Sequence, residues 1–105
     1  MENMKEYLIV VDQSTSSSKV FLMDSEGNIC DRKNYPHKQY YPRPGFVEQD
    51  AEEIFQNVER GIREIALNGE AGLSEIRGIA VTNQTGAFVL WDKETGKSVC
   101  NIVGW

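Results

Sequence analysis

The sequence is poor in the residues that build metal centres and disulfide frameworks. It has two cysteines, Cys30 and Cys100, and one histidine, His37, in 105 residues. The cysteines lie far apart and show no metal-ligand spacing. They are expected to be two buried thiols in a reducing compartment. His37 sits among Pro36, Lys38 and Gln39 and is expected to be solvated on a loop or edge. No apolar run approaches the length of a membrane span. Tyr7-Leu8-Ile9-Val10-Val11 is too short for a secretory signal. No membrane partner is therefore expected, and the expected location is cytoplasmic. Basic charge is scarce as well: 11 Lys and Arg against 16 Asp and Glu, a net charge of −5. That balance argues against nucleic acid or an anionic membrane as the main partner. A small anionic substrate would need a local site of amides and hydroxyls.

What is present is ordinary for one folded domain, 40% hydrophobic and 26% charged. Residues 7 to 11 read as a buried strand ending at Asp12. Six small or polar residues follow, Gln13-Ser14-Thr15-Ser16-Ser17-Ser18, and Lys19 to Met23 form a second strand. After a turn at 24–28, a third strand starts at Ile29 and runs in patches to about Tyr41. The three make an antiparallel meander. Pro42 and Pro44 force an extended loop, after which Phe46 and Val47 are expected to tuck into the core. Asp50 caps a helix, with Glu53 placed to complete a capping box. Ile54, Val58, Ile62 and Ile65 form its apolar stripe, which Phe55 and Ala66 widen, and Asn68-Gly69 stops it. Ile76–Val81 is a fourth strand and Phe88–Trp91 a fifth, and Ser98–Val103 is a sixth strand or a return segment. A helix between strands three and four makes the sheet mixed, so the fold class is α/β. The chain ends on the apolar run Ile102-Val103-Gly104-Trp105. Complete domains more often end in polar residues, so a longer parent is expected.

The stretch from Asp12 to Lys19 carries the chemistry. Its backbone N–H groups can form an anion-binding concavity. The hydroxyls of Thr15, Ser16, Ser17 and Ser18 can donate to phosphate oxygens, and Lys19 can neutralise charge. Asp12 could hold Mg²⁺ directly or through water, because Mg²⁺ keeps several waters and takes few carboxylates. Phosphoryl transfer needs mainly positioning and charge neutralisation. The same composition also suits a polar hairpin loop with nothing bound. Glu48 is read as a loop-anchoring acceptor.

Four ordered motifs resemble those of the FGGY carbohydrate kinases, and the glycerol kinase branch in particular. Asp12-Gln-Ser-Thr-Ser-Ser-Ser-Lys19 is similar to the family's Asp-Gln-Gly-Thr-Thr-Ser-Ser-Arg. Pro42-Arg-Pro-Gly-Phe-Val-Glu-Gln-Asp50, Ile79-Ala-Val-Thr-Asn-Gln84 and Trp91-Asp-Lys-Glu-Thr-Gly-Lys97 resemble the next three. The resemblance spans the chain and implies a ribonuclease H-like, actin-type ATPase fold. Residues 1–105 would be the N-terminal portion of the first of two domains, with a cleft between them. It implies an ATP-dependent kinase that phosphorylates a hydroxyl of a small sugar or polyol. ATP and Mg²⁺ would be its cofactors. Asp12 would serve the metal, and Thr15, Ser16, Ser17 and Lys19 the nucleotide phosphates. Trp105 would pack on the substrate. The family's catalytic aspartate has no counterpart here, so no catalytic residue is assigned and the chain alone is expected to be inactive.

Four departures from the family pattern bear on the site. Lys19 replaces an arginine and loses its bidentate fork. Ser14 replaces a glycine, which costs about 1 kcal/mol or more wherever that turn requires positive φ. Thr85 and Gly86 replace the Arg-Glu pair that binds glycerol hydroxyls, which points to a bulkier sugar or a ketose. A reading of another class is a non-catalytic module that self-associates, as a homo-oligomer, or binds a partner through its apolar C-terminal segment.

Overall fold

The computed structural model describes residues 5–104. Its main sheet has four strands: β1 (Tyr7–Gln13), β2 (Ser17–Asp24), β3 (Ile29–Pro36) and β6 (Ile76–Thr82), in the order β3-β2-β1-β6. Three short strands, β4 (Gln39–Tyr40), β5 (Glu48–Gln49) and β7 (Ile102–Val103), pair separately in the order β4-β5-β7. One helix, α1 (Ala51–Asn68), carries the chain from β5 back to β6. The first three main strands are antiparallel, whereas β6 runs parallel to β1. The mixed sheet and the meander are those expected from the sequence. Parallel pairing needs a long crossover, and α1 supplies it.

Register determines which side chains meet. Tyr7, Ile9 and Val11 of β1 lie opposite Asp24, Leu22 and Val20 of β2. Tyr7, Ile9, Val11, Val20 and Leu22 form the core with Ile65 of α1 and Ala71. Strand side chains alternate between faces, so this set is the face that α1 covers. The helix begins where Asp50 Oδ1 accepts the Glu52 amide at 2.9 Å. The expected capping box is not completed: Glu53 Oε1 instead accepts the Lys38 amide at 3.1 Å, which pins the β3–β4 connection to the helix start. Ile54 and Ile65 are buried, with Val58, Ile62 and Ala66 packed beside them. Phe55 does not join that stripe and stays 61% exposed. Gly61 is the point of closest approach: a Cβ there would stand 2.5 Å from Val20 Cγ2 and 3.0 Å from Tyr35 Cε2.

Several local expectations are corrected. Phe88–Trp91 does not form a strand. It makes single bridges only, Phe88 to Val103 and Trp91 to Ser98, because the main sheet's ladder ends at β6 among the described residues. Of the return segment, only Ile102–Val103 is strand. Phe46 is 43% exposed and lies under the Arg43 guanidinium, 5.9 Å from its ring centroid, rather than in the core. His37 is buried, not solvated: its amide donates to Ser16 O and the segment is tied to α1 through Lys38 and Asn57. Cys100 is exposed and Cys30 half-buried, so neither is the fully buried thiol expected. Burial and nearby Asp24 push the Cys30 thiol pKa up.

Helix α1 rests on β2, β3 and β1, leaving the edge strand β6 largely bare. Val81 is 69% exposed on the helix side of the sheet. It lines an apolar groove of about 490 Å³ with Phe55, Val58 and Trp91. No helix among the described residues is long and apolar enough to cross a membrane.

Candidate functional site

Because β1 and β6 are parallel, both end on one edge of the sheet, and two polar loops leave from there. Carboxyl ends of parallel strands are the usual place for ligands in α/β sheets. The first loop is the 14–17 bend. Its closure is internal: the Ser14 amide and Ser14 Oγ both donate to Ser17 O, at 2.9 and 3.0 Å. Gln13 Nε2 donates to Ser14 O at 2.6 Å, and the His37 amide donates to Ser16 O at 3.1 Å. Three carbonyls of the bend are thus occupied by protein donors. The amides of Thr15 and Ser16 meet no acceptor among the described residues. A bend with most of its carbonyls used and two of its amides unused is suited to an anion. No described residue other than glycine has positive φ, so Ser14 sits there without backbone strain.

The strands flanking the bend carry the charges. Asp12 and Lys19 are register partners on β1 and β2, with Thr82 and Asn34 next in line on β6 and β3. The four make a polar row across the sheet, on the face away from α1. Neither Asp12 nor Lys19 forms an ion pair or side-chain hydrogen bond among the described residues. Both are half-buried, Thr15 is half-buried, Ser16 is exposed and Ser17 is buried. Ser18 points the other way: its hydroxyl is enclosed on the α1 side and cannot reach a ligand at the bend, contrary to the expectation from composition. Trp105 lies outside the described residues.

The second loop, residues 82–86, comes up against the first. Thr15 Oγ1 donates to Gln84 Oε1 at 3.3 Å, and Gln84 Nε2 donates to Gln49 Oε1 at 3.1 Å. Three motifs far apart in sequence therefore meet in one hydrogen-bonded chain. Sequence reasoning missed Gln49 and Gln84. The signal was faint: Gln49 falls in a two-residue strand just before the helix cap, and it is 0% exposed. Gly86 has φ +80, so the loop relies on glycine at the position where the family pattern carries a glutamate. Asn101 Nδ2 donates to Glu48 Oε1 at 3.3 Å, which anchors the loop as expected of Glu48. A small cleft of about 110 Å³ lies between Gln13, Asn83, Gln84, Phe88 and Ile102. The larger apolar groove beside Phe55 does not include Asp12, Thr15 or Lys19, and its apolar walls do not suit a phosphate.

Known structures define the class. The fold matches the crystal structure of Plasmodium falciparum glycerol kinase with ADP at a TM-score of 0.74 and 31% identity, over 96% of this chain and 20% of that one. It matches xylulose kinase from Rhodospirillum rubrum at 0.79 and 26%, over 94% and 20%. This is the actin-like ATPase fold of sugar kinases. In sequence, residues 7–105 match the FGGY family of carbohydrate kinases, N-terminal domain. Glycerol kinase 1 of Thermotoga maritima is 43% identical over 99 residues, 94% of this chain and 20% of that protein. The chain belongs to the FGGY family of carbohydrate kinases. It spans about a fifth of the length of the relatives it matches.

Proposed function

We propose that residues 1–105 form the N-terminal portion of the first domain of an ATP-dependent carbohydrate kinase. The complete enzyme transfers the γ-phosphoryl group to a hydroxyl of a sugar or polyol. One observation carries this reading: the Thr15 and Ser16 amides, without an acceptor among the described residues, stand beside Asp12 and Lys19, which have no side-chain partner among them, at the carboxyl end of β1. The residues fit a magnesium nucleotide. The Thr15 and Ser16 amides, with the hydroxyls of Thr15, Ser16 and Ser17, hold phosphate oxygens, and Lys19 offsets their charge. Asp12 is a single carboxylate, which suits Mg²⁺ held largely through water. When bound, Mg²⁺ neutralises charge on the phosphates.

The 82–86 loop and Trp105 face the sugar in this reading. Thr85 and Gly86 offer neither the forked cation nor the carboxylate that would pair glycerol's hydroxyls, and unpaired hydroxyls discriminate strongly against a substrate. Nothing lies within 4 Å of where a Cβ would stand on Gly86, so the loop is open at that point. In this reading the base comes from the rest of the enzyme, and the chain alone is inactive. The reading is tested by a phosphorylation screen of the full-length protein over glycerol, pentoses, ketohexoses and pentitols. A pentose or ketose should be the best substrate by kcat/KM. Glycerol as the best would refute the reading of Thr85 and Gly86, and no phosphorylation of any would refute the kinase assignment.

A further inference from the structure

The Thr15–Gln84–Gln49 chain has a direction, and that direction conflicts with phosphate binding. Thr15 has one hydroxyl proton. Here it goes inward, to Gln84 Oε1 at 3.3 Å, so it is not available to a phosphate oxygen. Gln84 Nε2 then donates to Gln49 Oε1 at 3.1 Å, and Gln49 Nε2 is buried with no acceptor among the described residues, in a side chain 0% exposed. Turning both amides over leaves the heavy atoms nearly in place and reverses every bond. Gln49 Nε2 donates to Gln84 Oε1, Gln84 Nε2 donates to Thr15 Oγ1, and the Thr15 proton is released outward. Each direction leaves one glutamine atom without a partner on the inner end, so what lies outside Thr15 decides between them. An anion selects the outward direction, and the aligned donors polarise one another toward it.

We propose that Gln84 is a positioning residue of the nucleotide site: by donating to Thr15 Oγ1 it turns the Thr15 hydroxyl outward to a phosphate oxygen, with Gln49 as the buried anchor of the reversal. This rests on the nucleotide reading of the 14–17 bend. It assigns to the 82–86 loop a second task beside facing the sugar, since the same side chain then ties the two subsites together.

The test is calorimetric titration of MgADP into the full-length protein, comparing wild type, Thr15→Val, Gln84→Met, Gln84→Glu and the Thr15→Val/Gln84→Glu double variant. Thr15→Val should weaken binding about three- to ten-fold, one net hydrogen bond. Gln84→Met, neutral and of similar volume, should weaken it about three-fold. Glutamate accepts but cannot donate, so Gln84→Glu should hold the Thr15 proton inward and weaken binding at least as much as Thr15→Val. That loss should shrink as pH falls and the new carboxyl becomes a donor, while wild-type affinity changes less over the same range. The double variant should bind MgADP no more weakly than the worse single variant, because both changes act on one proton. Losses that add in full would show simple charge repulsion and overturn the proposal. So would Gln84→Met binding MgADP as tightly as wild type while Thr15→Val does not. If Thr15→Val itself has no effect, the nucleotide reading of the bend fails, and this inference fails with it.

Discussion

Replacing Gly61 by alanine sets two effects of known size against each other. In a free helix, glycine to alanine is stabilising by about 0.8–1.0 kcal/mol, because glycine gives up more backbone freedom. Here the new methyl would stand 2.5 Å from Val20 Cγ2, 3.1 Å from Val20 Cβ and 3.0 Å from Tyr35 Cε2. Ordinary carbon contacts are about 3.5–4.0 Å. Val20 is 0% exposed in the middle of β2, and its β-branched side chain has few rotamers to move to. Relief therefore has to come from lifting α1 off the sheet. Overpacking of this kind costs about 1–3 kcal/mol. The net expectation is a loss of up to about 2 kcal/mol, read as a lower midpoint in urea unfolding followed by far-ultraviolet circular dichroism, with the slope unchanged. Val20→Ala in the same background removes the obstructing methyls, so the double variant should lose less than the sum of the two single losses. A rise in the midpoint for Gly61→Ala, by the amount of helix propensity alone, would refute the close packing of α1 on β2.

Two further outcomes follow from local contacts. Asp50→Ala removes the acceptor of the Glu52 amide and should lower stability by about 1 kcal/mol in the same assay, with Asp50→Asn retaining most of it. Burial, and then the hydrogen bond from Tyr35 Oη to Glu64 at 2.7 Å, push the Tyr35 phenol up to about 12 from its ordinary value of 10.0. The raised pKa contributes stability that is complete below pH 10 and is lost as pH rises toward 12, where the folded phenol also ionises. Tyr35→Phe should flatten that alkaline decline in thermal melts, and an unchanged decline would show that another group governs it.

The strands and the helix were legible because their signals are local. Val10 and Val11 with Ile9 make a continuous apolar run, and Ile54, Val58, Ile62 and Ile65 share a helical face, so β1 and α1 could be placed without tertiary knowledge. The bend after Asp12 was legible for the same reason: its composition is its signal. Other features were not written locally. Gly61 is needed because two elements approach closely, and nothing in the neighbouring sequence states that distance. Gln49 and Gln84 look like ordinary polar residues until two loops and the short strand β5 meet. His37 reads as solvated by its polar neighbours, yet bonds from Lys38 and to Pro36 draw its segment against α1. Phe88–Trp91 has a strand's composition but finds only single bridges, since strand formation depends on a partner as much as on propensity.

The role of the 14–17 bend turns on where a nucleotide sits. Its direct test is the crystal structure of the full-length protein with ADP and Mg²⁺. Phosphate oxygens should lie within hydrogen-bonding distance of Thr15 and Ser16, with the metal's water shell against Asp12. ADP bound elsewhere, with the 14–17 bend and Asp12 touching no ligand, would contradict it.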